Sequence, residues 1–167
     1  DYLLTGDARS LRVAGCMAEH LMKAFNPSSA FFPRKGTHFW TEREAAFPLL
    51  EIMAYYELTG DKEYLKYAGQ IVRNLYKTQA EWPDRGGFIH NLYSHDPEEG
   101  ARKDEYGGSP FMTGLLLEGI VKYHQLTGSS IAKDSIFRAL DWLMSEAIAP
   151  DGETFIYLTC DAQRDEG

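Results

Sequence analysis

The sequence predicts an all-α protein, an array of α/α hairpins, on three observations. The tripeptide Leu-Thr-Gly occurs three times, at Leu4-Thr5-Gly6, Leu58-Thr59-Gly60 and Leu126-Thr127-Gly128, each time between two helix-like segments. Segments that follow it carry one apolar stripe, whereas those that precede it are apolar nearly all round. The connections on the far side of each pair are long, unlike one another, and punctuated by proline and glycine. The three threonines lie 54 and 68 residues apart, too long and too uneven for a short-period solenoid.

The chain opens at Asp1, without methionine, on what reads as the tail of an inner helix, and is expected to be a processed or excised piece. A first outer helix is predicted near 8–25, with Leu11, Ala14, Ala18, Leu21, Met22 and Phe25 in helical register. The first whole inner helix, near 41–58, contains AAFPLLEIMAYY (45–56), where Glu51 is the one charged residue. A helix so apolar must be buried on most sides. Thr41 and Glu44 have the spacing of a capping box at its start, and Pro48 is expected to kink it. The second outer helix, near 61–80, places Tyr64, Ala68, Ile71, Val72 and Leu75 on one face, with Lys62, Lys66, Arg73, Asn74 and Lys77 elsewhere.

A second inner helix is predicted near 109–126, with PFMTGLLLEGIV (110–121) again carrying one charge, Glu118. Ser109 followed by Pro110 suits an N-cap with proline in the first helical position. The third outer helix, near 130–148, has Ile136, Phe137, Leu140, Leu143, Met144 and Ala147 as its expected buried stripe. Gly6, Gly60 and Gly128 are expected to end the inner helices with positive φ, and Asp7, Asp61 and Ser129 to cap the next ones. Residues 83–88 (PDRGGF) echo 150–155 (PDGETF), which is turn chemistry. The runs 88–93 and 154–159 are rich in β-formers and are expected as short strands in the rim loops. Residues 1–167 are read as a single domain or fragment.

A net charge of −8 argues against nucleic acid, which demands a positive footprint. No run of eighteen apolar residues occurs, so no membrane-spanning helix is expected. Cys16 and Cys160 have no metal spacing and form no disulfide framework, so free thiols are expected. His90 and His95 do not have zinc spacing, and no metal or other cofactor is expected. There is no Gly-rich phosphate loop, Gly-x-Ser-x-Gly elbow or CxxC pair.

The stretch YYELTGDKEYLKYA, with its two sister turns, resembles the hairpin turn of the six-hairpin glycosidase-like α/α toroids. The resemblance runs over roughly residues 2–148. It implies an incomplete α/α toroid, about half of one, whose remaining hairpins come from a parent chain or another subunit. That superfamily includes glycoside hydrolases acting on unsaturated or arabinose-containing sugars, sugar epimerases and polysaccharide lyases. The resemblance therefore implies an oligo- or polysaccharide partner, bound where the long loops meet the N-termini of the inner helices. Many such toroids work outside the cytoplasm, which inclines the expectation towards an extracytoplasmic protein.

Helix N-termini present free N–H groups and partial positive charge, so candidate residues are sought in 26–43 and 81–109. His38, Trp40 and Arg43 in the first stretch, and Trp82, Arg85 and His90 in the second, are candidate substrate-binding residues. An indole packs on the C–H face of a sugar while guanidinium and imidazole groups bond its hydroxyls. The competing structural readings are rim packing for Trp40, a loop-satisfied imidazole for His38 and a local ion pair for Arg43. Asp84 and Glu105 are the candidate catalytic carboxylates for hydrolysis, which needs one on each side of the scissile bond. Tyr106 is a candidate base for lyase chemistry, with His90 and Arg85 in support. Glu51 and Glu118 read as structural or helix-edge glutamates. The alternative to an enzyme is a non-catalytic helical-array module binding glycan or protein, which the incomplete hairpin count favours.

Overall fold

The structure, a computed structural model, describes residues 2–25, 27, 41–81, 86–91 and 106–159. Within them lie the helices α1 (Tyr2–Thr5), α2 (Ala8–Ala24), α3 (Arg43–Thr59), α4 (Lys62–Glu81), α5 (Pro110–Thr127) and α6 (Ser130–Glu146). A two-stranded antiparallel ribbon, β1 (His90–Asn91) and β2 (Tyr106–Gly107), precedes α5.

Each Leu-Thr-Gly turn is closed by local chemistry. Thr59 Oγ1 donates to the Tyr55 carbonyl (2.9 Å) and accepts from the Asp61 N–H (3.2 Å). Thr127 repeats this with Tyr123 (2.7 Å) and Ser129 (3.3 Å). Gly60 and Gly128 take left-handed φ values of 70° and 66° and donate to the carbonyls of Tyr56 and His124. Any side chain there would be strained. The next helix starts under a side-chain cap, from Asp7 to Arg9 N, Asp61 to Glu63 N and Ser129 to Ala132 N.

The two inner helices, α3 and α5, pack on each other, and α4 and α6 lie against them; α2 packs on α3. Ala45, Ala46, Leu49, Ile52 and Met53 of α3 meet Leu116, Leu117 and Ile120 of α5 in the core. The whole expected stripe of α4, from Tyr64 to Leu75, is buried there too. Each large aliphatic side chain so buried contributes about 1.5–3 kcal/mol. Glu51 is half-buried and Glu118 exposed, as helix-edge residues are.

The stripe predicted for α6 holds in part and needs a correction. Ala147 is buried, and Ile136 and Leu143 pack half-buried against the core. Phe137, Leu140 and Met144, however, are 54%, 43% and 66% exposed, and the buried face of the helix is Ala132, Ser135, Ala139 and Trp142. The helix has two apolar faces, and period alone does not say which one its neighbours cover. The repeat explains the open face. Ten and thirteen residues past each threonine stand Gly15 and Ala18, then Gly69 and Val72, then Phe137 and Leu140. In the first two units the inner helix of the following unit covers these positions. A Cβ on Gly15 or Gly69 would fall 2.6 Å from the hydroxyl of Tyr55 or Tyr123 respectively, and Ala18 and Val72 are buried. No helix follows α6 among the described residues.

A second correction concerns the start of α3. The Thr41–Glu44 capping box does not form: Glu42 occupies the cap with helical dihedrals and makes no side-chain cap bond. The Glu44 N–H is taken instead by the Thr41 backbone carbonyl at 3.0 Å. The helix then runs on through Pro48 to Thr59. Ser109 does cap α5, its Oγ accepting from Met112 N at 3.5 Å, with Pro110 first in the helix. Of the expected rim strands, 88–93 contributes β1, while 154–159 contributes only a bridge from Phe155 to Ile148. Among the described residues, no helix is long and apolar enough to cross a membrane.

Candidate functional site

The starts of both inner helices and the ribbon converge on one carboxylate. Glu42 stands immediately before α3. Its Oε1 accepts from the backbone N–H of Ser109, the cap of α5, at 2.7 Å. Its Oε2 lies 2.6 Å from Nδ1 of His90 on β1. Both side chains have no solvent exposure. A carboxylate stripped of water is costly unless it is hydrogen-bonded, and a helix N-terminus offers it an orphan N–H and the positive end of a dipole. Burial pushes the Glu42 carboxyl above its ordinary value, while His90 and the Ser109 N–H pull it back.

Other contacts hold the connectors around this junction. Phe88 and Ile89 are buried beside His90 in sequence. Gln79 of α4 donates to the Gly86 carbonyl (2.7 Å) and to the Ser135 carbonyl of α6 (3.1 Å), and Ser135 Oγ donates back to it. Trp142 of α6 lies against Gly87 and Gly108, one on each flank of the ribbon. The last described segment joins the same end: Thr159 N–H donates to the Gly108 carbonyl at 3.0 Å, and the Gly108 N–H donates to Thr159 Oγ1 at 2.9 Å. Asp151, which begins the turn before that segment, accepts from Glu153 N, Thr154 N and Thr154 Oγ1, and these bonds hold its carboxyl below the usual range.

Of the residues singled out from the sequence, Arg43 is the first residue of α3 and is exposed at the rim. His90 is buried, with Nδ1 on Glu42. The backbone of Tyr106 pairs with Asn91 in the ribbon, and its side chain lies outside what is described. His38, Trp40, Trp82, Asp84, Arg85 and Glu105 lie outside the described residues. Glu42 was not singled out. The signal for it was a glutamate one residue ahead of an apolar helix, and a neighbouring capping-box spacing obscured it.

Among the described residues, no group of three or more His, Cys, Asp or Glu side chains could hold a metal ion. Cys16 is free and exposed. Among the described residues, one groove opens between α2 and α3 beside Val13, Met17 and Glu51, and another between α5 and α6 beside Gly114, Glu118 and Leu140. Neither is lined by the Glu42 junction.

Residues 47–163 match the family model described as Beta-L-arabinofuranosidase, GH127 catalytic domain. The match runs from within α3 through α6 and includes His90 and Ser109. Comparison with curated proteins and with solved structures finds no match.

Proposed function

Because the chain belongs to the GH127 β-L-arabinofuranosidase catalytic-domain family, a family of six-hairpin α/α toroids, we propose that it is part of a glycoside hydrolase that takes its glycan at the inner-helix N-terminal rim. The family's description makes an oligo- or polysaccharide bearing β-L-arabinofuranosyl units the first substrate to consider. It favours hydrolysis over lyase chemistry.

The observation that supports this location is the Glu42 junction, which draws the starts of α3 and α5 and the ribbon to one end of the array. Connectors gathered there can vary without disturbing the core, and helix N-termini attract the electron-rich oxygens of a sugar. Arg43, His38, Trp40, Trp82, Arg85 and His90 are proposed to supply the sugar-binding contacts. Asp84 and Glu105 are proposed as the acid and base or nucleophile pair, with Tyr106 beside Glu105. They are proposed together because β1 follows the first and β2 the second, and the two strands pair. Val13 and Met17 on α2 are exposed apolar side chains, and they and the open face of α6 are proposed to be covered by further hairpins, from the same parent chain or another subunit.

Isothermal titration of the chain with methyl β-L-arabinofuranoside and with arabinose-containing oligosaccharides tests the reading. Saturable binding is expected. No binding across these sugars, neutral glycans and uronic-acid glycans would overturn it. Asp84→Asn or Glu105→Gln is expected to reduce hydrolysis of an aryl β-L-arabinofuranoside by about 10²–10⁴-fold. Unchanged turnover removes that residue from the chemistry.

A further inference from the structure

We infer that Glu42 is a positioning residue that fixes His90 in the tautomer carrying its proton on Nδ1, while pinning the start of α5 through Ser109. The argument is one of donors and acceptors. A backbone N–H only donates, so the 2.7 Å contact from Ser109 makes Oε1 an acceptor. Once Glu42 is ionised, Oε2, 2.6 Å from Nδ1, can only accept as well, at the short distance of a charge-assisted bond. The two partners lie 48 and 67 residues away in sequence, on β1 and ahead of α5. One side chain therefore sets the ring plane, the ring tautomer and the spacing of two helix starts.

In that tautomer Nε2 is an acceptor, so the group it meets must be a donor, such as a sugar hydroxyl or a connector N–H. This consequence rests on the functional reading above; the tautomer does not.

The substitution Glu42→Gln gives a sharp test, because an amide has one acceptor oxygen and one donor nitrogen. The Ser109 N–H claims the oxygen, so the amide NH₂ faces Nδ1, which must then accept. The proton moves to Nε2. Long-range ¹H–¹⁵N correlation spectra of the His90 ring, recorded on the 167-residue chain at about pH 8, above the ordinary histidine range, read this directly. The expected result is a proton on Nδ1 and none on Nε2 in the wild type, and the reverse in Glu42→Gln. A proton on Nε2 in the wild type overturns the inference, a result that does not depend on whether the variant folds. An unchanged tautomer in a folded Glu42→Gln overturns it too.

Titration with methyl β-L-arabinofuranoside separates this inference from the reading it extends. Binding by the wild type, weakened about tenfold in Glu42→Gln, supports both. Equal binding by the two proteins removes the positioning role and leaves the rim reading standing. No wild-type binding sinks the rim reading, and the tautomer result still decides the role of Glu42.

Discussion

The indole of Trp142 lies so close to Gly87 that a Cβ there would stand 2.6 Å from Cε2 and 2.8 Å from Nε1. An outer helix thus holds a rim connector by direct contact with its backbone. Gly87→Ala is expected to lower the unfolding free energy by about 1–3 kcal/mol, because neither the helix nor the buried ring has room to move. Gly114 in α5 is the control: it faces open space, and Gly114→Ala is expected to be neutral or stabilising by up to about 1 kcal/mol. Urea denaturation of both variants checks the contrast.

Val72 and Leu140 hold equivalent places in successive repeats, yet one is buried and the other 43% exposed. Val72→Ala is expected to cost about 2 kcal/mol in this chain, and Leu140→Ala no more than about 0.5 kcal/mol. In a protein that carries a further inner helix over α6, the cost at Leu140 should rise towards that at Val72. Comparable losses at both sites in the 167-residue chain would contradict the reading of α6 as an open edge.

Stability should depend on pH through Glu42. Burial raises its folded-state pKa above the ordinary value of 4.5, so between those two values the native state holds a proton that the unfolded chain has lost. Above the folded value Glu42 is the carboxylate that accepts from Ser109 and His90. The neutral acid's contribution is fully present below about 4.5 and is lost as pH rises through the folded value. Glu42→Gln is neutral throughout and lacks this slope. Urea midpoints measured from about pH 4 upward should therefore fall for the wild type relative to the variant. A difference that grows in favour of the wild type contradicts the sign.

The turns were legible because their chemistry is local. Gly60 needs a left-handed φ, Thr59 reaches back to Tyr55, and Asp61 caps the next helix, all within a few residues. The inner helices were legible because a segment with a single charge has no side to give to water. The α6 stripe was legible only in part, Ile136 and Leu143 packing on the core while Phe137 and Leu140 do not, since the sequence between Ser130 and Glu146 has two apolar faces and the choice belongs to the neighbours. Glu42 was hidden for a different reason. Its partners lie 48 and 67 residues away, and no local pattern marks a glutamate that will be buried between His90 and Ser109. The carboxylates Asp84 and Glu105 stay proposals drawn from residue type and position.

The most direct test of the account is a backbone amide NMR titration of the chain with methyl β-L-arabinofuranoside. The account predicts shift changes concentrated at Glu42, Arg43, His90, Gly108 and Ser109, with Gly60 and Gly128 at the tight turns unmoved. Perturbations centred on Gly60 and Gly128, or none anywhere at saturating sugar, would contradict it.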